Sequence, residues 1–289
     1  MRPRQITILG VGLLGGSIGL AVRSVAPDCK IVGFGHRRES LERALEIGAI
    51  DRIEVDAAAS VAGSDLVILC TPVGLFGEIL GKISSSLSVG ALVTDVGSTK
   101  RSVVRLAEAR LGKGVQFVGS HPIAGSEKRG VEFSRADLFH NQLCIVTPTG
   151  KTDPGALDRM EGFWRLLGMR TARLSPEEHD RILADVSHLP HLLAAALVAM
   201  QDEAGLDFSG KGFLDTTRIA GGDGGLWRDI FLDNADSLKA GLGRLRDEIS
   251  KVEKMLDGKS GDALREWLDA AADRREKLLE KKLREINPD

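Results

Sequence analysis

Ile6-Thr7-Ile8-Leu9-Gly10-Val11-Gly12-Leu13-Leu14-Gly15-Gly16-Ser17 is the stretch on which the fold class turns. A short β-rich run ends in a glycine turn, and the turn opens an apolar helical pattern. In that order G-x-G-x-x-G points to a dinucleotide cradle. Gly10 permits the tight turn, Gly12 lets a pyrophosphate approach the backbone, and Gly15 lets the helix pack closely on the sheet. Leu13 and Leu14 belong to the same cradle. Arg2 and Arg4 before the uncharged run 6–22 also resemble a secretory leader. Five glycines in that run are too many for a stable apolar helix, and it is short for a bilayer. We expect no stretch of membrane length elsewhere.

Outward from this turn, short β-rich runs at 6–9, 31–34, 66–70, 92–94, 117–118, 143–146 and 171–174 alternate with helical spacing at 41–47 and 102–111. This predicts an α/β domain with a largely parallel sheet over residues 1–174. Ser175-Pro176-Glu177-Glu178 then reads as a capping box with proline at the first helical position. Residues 175–289 read as helix, a second domain. Leu238, Leu242, Leu245, Ile249, Val252 and Leu256 form one apolar seam that stops at Gly258-Lys259-Ser260-Gly261, and a second helix folds back. The seam serves either an intrachain hairpin or a dimer surface.

Composition excludes several classes. With 289 residues at about 150 per domain, two domains are expected. A hydrophobic share of 43% with 28% charged residues describes a globular chain. Thirty-nine basic against 41 acidic residues leave a net charge of -2, so no global field favours nucleic acid. Cys29, Cys70 and Cys144 are odd in number and form no C-x-x-C, which fits neither a disulfide framework nor a zinc cage and suits a reducing, cytoplasmic setting.

Several residues carry chemistry. In 119–127, Gly-Ser-His-Pro-Ile-Ala-Gly-Ser-Glu, we expect a loop at the sheet's carboxyl edge, where ligands bind, with His121 as the acid/base group. Ser98, in Asp95-Val96-Gly97-Ser98-Thr99-Lys100, either caps the following helix or hydrogen-bonds a substrate hydroxyl. His188 and His191 share a helix face, and Pro190 should kink that helix. No further ligand cluster accompanies them, so we expect no metal. Arg218 either pairs with Asp215 or Asp223 or clamps a substrate carboxylate. After the second strand, Gly35-His36-Arg37-Arg38 lacks the carboxylate that holds an NAD ribose, which favours NADP, with Arg37 or Arg38 on its 2′-phosphate. Thr71 and Pro72, after the run 66–70, complete the cofactor set.

Together these motifs, with Thr217-Arg218-Ile219 and Trp227-Arg228-Asp229, resemble the prephenate/arogenate dehydrogenase family of tyrosine biosynthesis over nearly the whole chain. The most specific pieces are His121-Pro122-Ile123-Ala124-Gly125 and Ser187-His188-Leu189-Pro190-His191. The resemblance implies a Rossmann-like domain joined to a helical domain that forms a homodimer, and oxidative decarboxylation of prephenate or arogenate with NADP or NAD. It implies His121 and Ser98 as catalytic residues, and Ser126, Glu127, His191, Arg218 and Trp227 around the substrate. The chain ends soon after the hairpin, so we expect no regulatory ACT domain or fused mutase. The rivals are another dehydrogenase of the 6-phosphogluconate type, whose G-x-x-x-N-x-x-K pattern we do not find, and a silent NADP-sensing protein, which leaves the two histidines and Arg218 unexplained.

Overall fold

The structure, a computed structural model, describes residues 3–125 and 128–286. Ser126 and Glu127 lie outside the described residues. The strand before the glycine turn, β1 (Gln5–Leu9), sits inside a six-stranded parallel sheet of order β3-β2-β1-β4-β5-β6. Its neighbours are β2 (Lys30–Phe34), β3 (Arg52–Glu54), β4 (Leu66–Leu69), β5 (Leu92–Asp95) and β6 (Gln116–Phe117). The strand order reverses between β1 and β4, and the crevice at their carboxyl ends is where such sheets take ligands. The three-residue β3 escaped the sequence reading because an edge strand with Arg52 and Glu54 at its ends shows no apolar run.

Both faces of this sheet are covered, which is why β4 is continuously apolar. Ile6, Ile8, Leu66 and Ile68 pack with α1 (Leu13–Val25), α2 (Arg38–Glu46) and α6 (Pro154–Leu166). Leu9, Val67 and Leu69 pack with α3 (Ala57–Ser60), α4 (Phe76–Ile83) and α5 (Arg101–Arg110). The alternation of β1 between two cores fixes its register.

The remaining strands form a second sheet. There β7 (Gly119–Pro122) runs antiparallel to β8 (Leu143–Thr147), and β8 runs parallel to β9 (Arg170–Arg173). His121 therefore lies on a strand, opposite Ile145, and not in the expected loop. Of the glycines that suggested a loop, Gly119 opens this four-residue strand and Gly125 lies beyond its end.

The capping box forms as read: the Ser175 hydroxyl accepts from the Glu178 N–H and the Glu178 carboxylate from the Ser175 N–H, opening α7 (Pro176–Leu183). Instead of kinking, the rod widens into a π turn, Ala184–His188, before α8 (Leu189–Ala199). Pro190 thus falls in the first turn of a helix, where a missing N–H costs little. The fused run Pro176–Ala199 is long and apolar enough to cross a membrane by length and composition, with 28% of its most apolar window buried. That corrects the expectation of no such stretch. The chain continues through α9 (Glu203–Leu206), α10 (Lys211–Thr217), a 3-10 turn at Arg218–Gly221 and α11 (Gly224–Asp233).

By packing, the chain divides into Met1–Ala235 and Asp236–Asp289. The first unit thus includes the helices up to α11, beyond the compositional boundary at residue 174. The second is a helical hairpin: α12 (Ala235–Asp257) ends at the glycine turn, where Lys259 takes φ 48°, and α13 (Gly261–Ile286) returns, with Trp267 Nε1 donating to Glu248 at 3.4 Å.

Candidate active site

The glycine turn has the geometry its sequence demands. Gly10 adopts φ 102° and its N–H donates to the Phe34 carbonyl at 2.8 Å, while a Cβ there would stand 2.8 Å from the Cys70 and Thr71 backbone. At Gly15 a Cβ would meet the Gly10 carbonyl oxygen at 2.3 Å, so the third glycine is needed for packing. Gly12 caps α1 and has nothing within 4 Å of a Cβ position, which leaves open backbone at a helix start, with Leu13 and Leu14 in its first turn. Across the crevice, Thr71 Oγ1 is buried with no partner among the described residues, next to Pro72 at the end of β4. Open glycine backbone, a helix N-terminus and an unsatisfied hydroxyl fit a dinucleotide's phosphates and ribose.

At the end of β2 the two arginines differ. Arg38 pairs with Glu42 at 2.8 Å across one helical turn, whereas among the described residues Arg37 reaches only His36, Nε to Nε2 at 3.4 Å. Both are exposed. Gly35 has only Leu41 near its Cβ position, at 3.6 Å, so the absence of a carboxylate there is not forced by space.

The turn carrying Ser98 is held by two carboxylates. Asp95, fully buried, forms an ion pair with fully buried Lys100 and accepts the N–H groups of Gly97 at 2.8 Å and Ser120 at 3.2 Å. It thereby ties the turn to β7, one residue before His121. Asp180, on α7, accepts the N–H groups of Lys100 at 2.7 Å and Arg101 at 2.9 Å, at the start of α5. Ser98 is half-buried and does not cap α5, whose N-cap is Lys100 with no side-chain bond. The capping reading of Ser98 therefore falls.

His121 is joined to α7: its Nδ1 lies 2.8 Å from Nε2 of His179, whose own Nδ1 lies 2.8 Å from Oδ1 of Asp180. Burial holds the His121 imidazole well below its ordinary range, and the electrostatic influence of His179, Lys100 and His188 lowers it further. Burial also lowers His179, against the pull of Asp180. Burial pushes Asp180 up, but the His179 bond and the two backbone N–H groups outweigh it and keep the carboxyl below its usual range. His188, fully buried, is brought down to about 4 by burial, and its Nδ1 lies 3.2 Å from Asn234 Nδ2, which also donates to the Asp180 carbonyl at 2.7 Å.

Beside this network His191 stacks on Trp227 with ring centroids 3.6 Å apart, and Phe231 meets both. A side chain at Gly222 would strike Trp227 and His191, at 2.6 and 2.9 Å. Arg218 is exposed and makes neither of the ion pairs considered, with Asp215 or with Asp223. Asp223 is taken by Arg129 and by the first turn of α11. Among the described residues no three His, Cys, Asp or Glu side chains converge to hold a metal ion.

Sequence reasoning missed His179, Asp180 and Asn234 as members of the site. The only signal was a His-Asp pair directly after the capping box, because helical periodicity does not say which buried face meets β7. Asp95 stood in a quoted run but was given no role.

A Rossmann-type sheet with an open phosphate turn, tied through Asp95 to the strand that carries a neutral histidine, has the parts of a nicotinamide-dependent dehydrogenase. Residues 18–173 match the family model "Prephenate dehydrogenase, nucleotide-binding domain" and residues 175–270 match "Prephenate dehydrogenase, dimerization domain". The chain is 35% identical to a prephenate dehydrogenase of Bacillus subtilis, over 94% of this chain and 76% of the relative. Among solved structures it resembles prephenate dehydrogenase from Aquifex aeolicus in complex with hydroxyphenyl propionate and NAD+, with TM-score 0.89, 36% identity and coverage of 95% and 98%. It also resembles Synechocystis arogenate dehydrogenase, with TM-score 0.82, 27% identity and coverage of 95% and 99%. This chain belongs to the prephenate dehydrogenase family.

Proposed function

We propose that this chain carries out the NAD(P)-linked oxidative decarboxylation of prephenate or arogenate, with NADP preferred. The observation that carries the reading is His121, kept unprotonated by burial on the strand tied to the nucleotide sheet through Asp95. When bound in the Gly10–Gly15 cradle, the oxidised nicotinamide supplies the hydride acceptor. Gly10, Gly12, Gly15 and Thr71 would hold it.

His121 takes the proton of the ring 4-hydroxyl as C4 loses its hydride, which makes the carbinol carbon a carbonyl. The ring carboxylate then leaves as carbon dioxide, and its bonding electrons aromatise the ring to a phenolate. His121 returns its proton to that oxygen, so the reaction releases no net proton and one imidazole serves as base and then acid. Ser98 orients the hydroxyl. Arg218, which pairs with no carboxylate among the described residues, pairs with a substrate carboxylate. His191 and Trp227 wall the pocket, with Ser126 and Glu127 at its entrance. Positioning and charge do the remainder.

NADP is favoured because Gly35-His36-Arg37 offers a guanidinium and no acid to a 2′-phosphate. The protein is read as a cytoplasmic homodimer. The support for the dimer is an apolar surface over residues 197–214, where Leu197, Val198, Met200, Phe208 and Leu214 are exposed.

The test is absorbance at 340 nm with NADP or NAD against prephenate or arogenate. Turnover with at least one pair is expected, fastest with NADP. His121→Ala should lose about 10³-fold in kcat with cofactor binding retained. Silence in all four mixtures from a folded, NADP-binding protein would overturn the reading.

A further inference from the structure

We propose that His179 and Asp180 are positioning residues that act through His121, setting which of its two ring nitrogens carries the proton. The inference rests on His121 being the base. The groups around this chain of rings are Lys100 and Asp95 from the turn before α5, His188 from the π turn, and Asp180 on α7 itself.

The bonding pattern leaves one solution. Asp180 takes two backbone N–H groups, Lys100 on Oδ1 and Arg101 on Oδ2, as an ionised acceptor. An acceptor-only carboxylate 2.8 Å from His179 Nδ1 requires that nitrogen to carry hydrogen. A neutral His179 then has a bare Nε2, and at 2.8 Å this must accept from Nδ1–H of His121. The one nitrogen of His121 left without a proton is Nε2. If the order were reversed at any link, Nε2 would hold a hydrogen and could not accept one from a hydroxyl. Full burial of His179 keeps water from supplying a substitute partner.

The arrangement is a carboxylate and two imidazoles in series, one ring longer than the aspartate–histidine pair of serine hydrolases. There, amidation of the aspartate fixes the wrong tautomer and costs about 10⁴ in kcat. Asp180→Asn has one oxygen where Asp180 uses two: with that oxygen on the Arg101 N–H, its amide takes the Oδ1 position, gives up the Lys100 N–H and donates to His179 Nδ1. That puts hydrogen on His179 Nε2, which donates to His121 Nδ1 and leaves the proton on His121 Nε2.

The experiment is ¹⁵N NMR of the histidine rings in the full-length protein, alongside steady-state kinetics across pH. In the parent, His121 is expected as the Nδ1–H tautomer, with the acid limb of kcat below pH 6.5. In Asp180→Asn the resonance should switch to Nε2–H, and kcat should fall 10²- to 10⁴-fold with KM for NADP within about twofold. His179→Ala should lose a similar factor and regain at least tenfold with added imidazole, which a merely structural loss would not do.

A parent His121 found as Nε2–H, or an Asp180→Asn enzyme with parental kcat and pH profile, overturns the proposal. If Asp180→Asn does not fold, the parent tautomer and the imidazole response of His179→Ala still decide it. A parent enzyme with no turnover on any substrate would break the functional reading instead, leaving the tautomer result to stand alone.

Discussion

In residues 3–174 the large, fully buried side chains are mostly apolar, Ile6, Leu9, Phe76, Phe163 and Trp164 among them. In residues 175–235 the buried set is led by His179, Asp180, His188, His191, Thr217 and Asn234, and only Leu183, Ala184, Ala194 and Ile230 are buried hydrophobics. The outward sides differ as strongly. There Val186, Met200, Phe208, Leu214 and Leu232 are each more than half exposed. The first region closes its own core and is stable by burial. The second turns a polar side inward, toward the site, and an apolar side outward, the kind of exposed patch that marks an interaction surface. One region is built for folding; the other carries the site and an exposed apolar face.

The largest expected effect exploits the inward histidines. His121, His179 and His188 are held below their ordinary range chiefly by burial. The unfolded chain would protonate them near pH 6.5 and the folded chain would not. Their contribution is therefore intact above pH 6.5 and lost as pH falls from 6.5 toward the folded values. His188, brought down to about 4, accounts for about 2 kcal/mol of this loss by pH 5. Urea unfolding should show it, and amide exchange should report α7 and α8 opening before β1 and β4. A stability independent of pH between 6.5 and 5 would erase the contrast.

Next in size is a methyl group added to each region. At Gly19, in α1, a Cβ would stand 1.9 Å from the Ala49 carbonyl oxygen, so Gly19→Ala should cost about 3 kcal/mol. Gly243, inside α12, has nothing within 4 Å, and Gly243→Ala should gain about 0.5–1 kcal/mol through helix propensity. Thermal unfolding of the two variants reads both signs. A loss at Gly243 would mean that something packs there in the assembled protein.

The outward face gives the third prediction. Phe208, 90% exposed, and Met200, 72% exposed, are the most accessible apolar side chains near α8. Changing both to Asp should raise the dimer dissociation constant at least 100-fold, read by analytical ultracentrifugation, while monomer folding holds. An unchanged dimer would move the interface elsewhere, to the hairpin seam first considered.

How much of this was legible depended on how local the physics was. The glycine turn, the capping box at Ser175 and the stop at Gly258 are set by backbone demands within a few residues, and each was readable. The placement of His121 on a strand was not, because β7 exists only through pairing with β8, some twenty residues on. The π turn was masked by Pro190, which signals a break without saying how the backbone absorbs it. The His179 and Asp180 relay depends on a contact across more than fifty residues, between α7 and β7, that no periodicity encodes. Arg218 was the reverse case: the sequence offered two acids nearby, and the fold used neither.

The smallest effect separates two neighbouring arginines. Arg38 already bonds Glu42 on an exposed helix turn, a pair worth well under 1 kcal/mol, while Arg37 has only a long contact to His36. If the end of β2 reads a 2′-phosphate, Arg37→Ala should raise KM for NADP about tenfold, roughly 1.4 kcal/mol, and leave KM for NAD unchanged. Arg38→Ala should shift either by no more than about twofold. Gly35→Asp, for which the 3.6 Å clearance to Leu41 leaves room, should move preference toward NAD by restoring the carboxylate that a ribose hydroxyl needs. Equal losses for both cofactors in Arg37→Ala would make that arginine a part of the turn's structure. The cofactor preference would then have to come from elsewhere in the first region, the one that otherwise carries its instructions closest to the sequence.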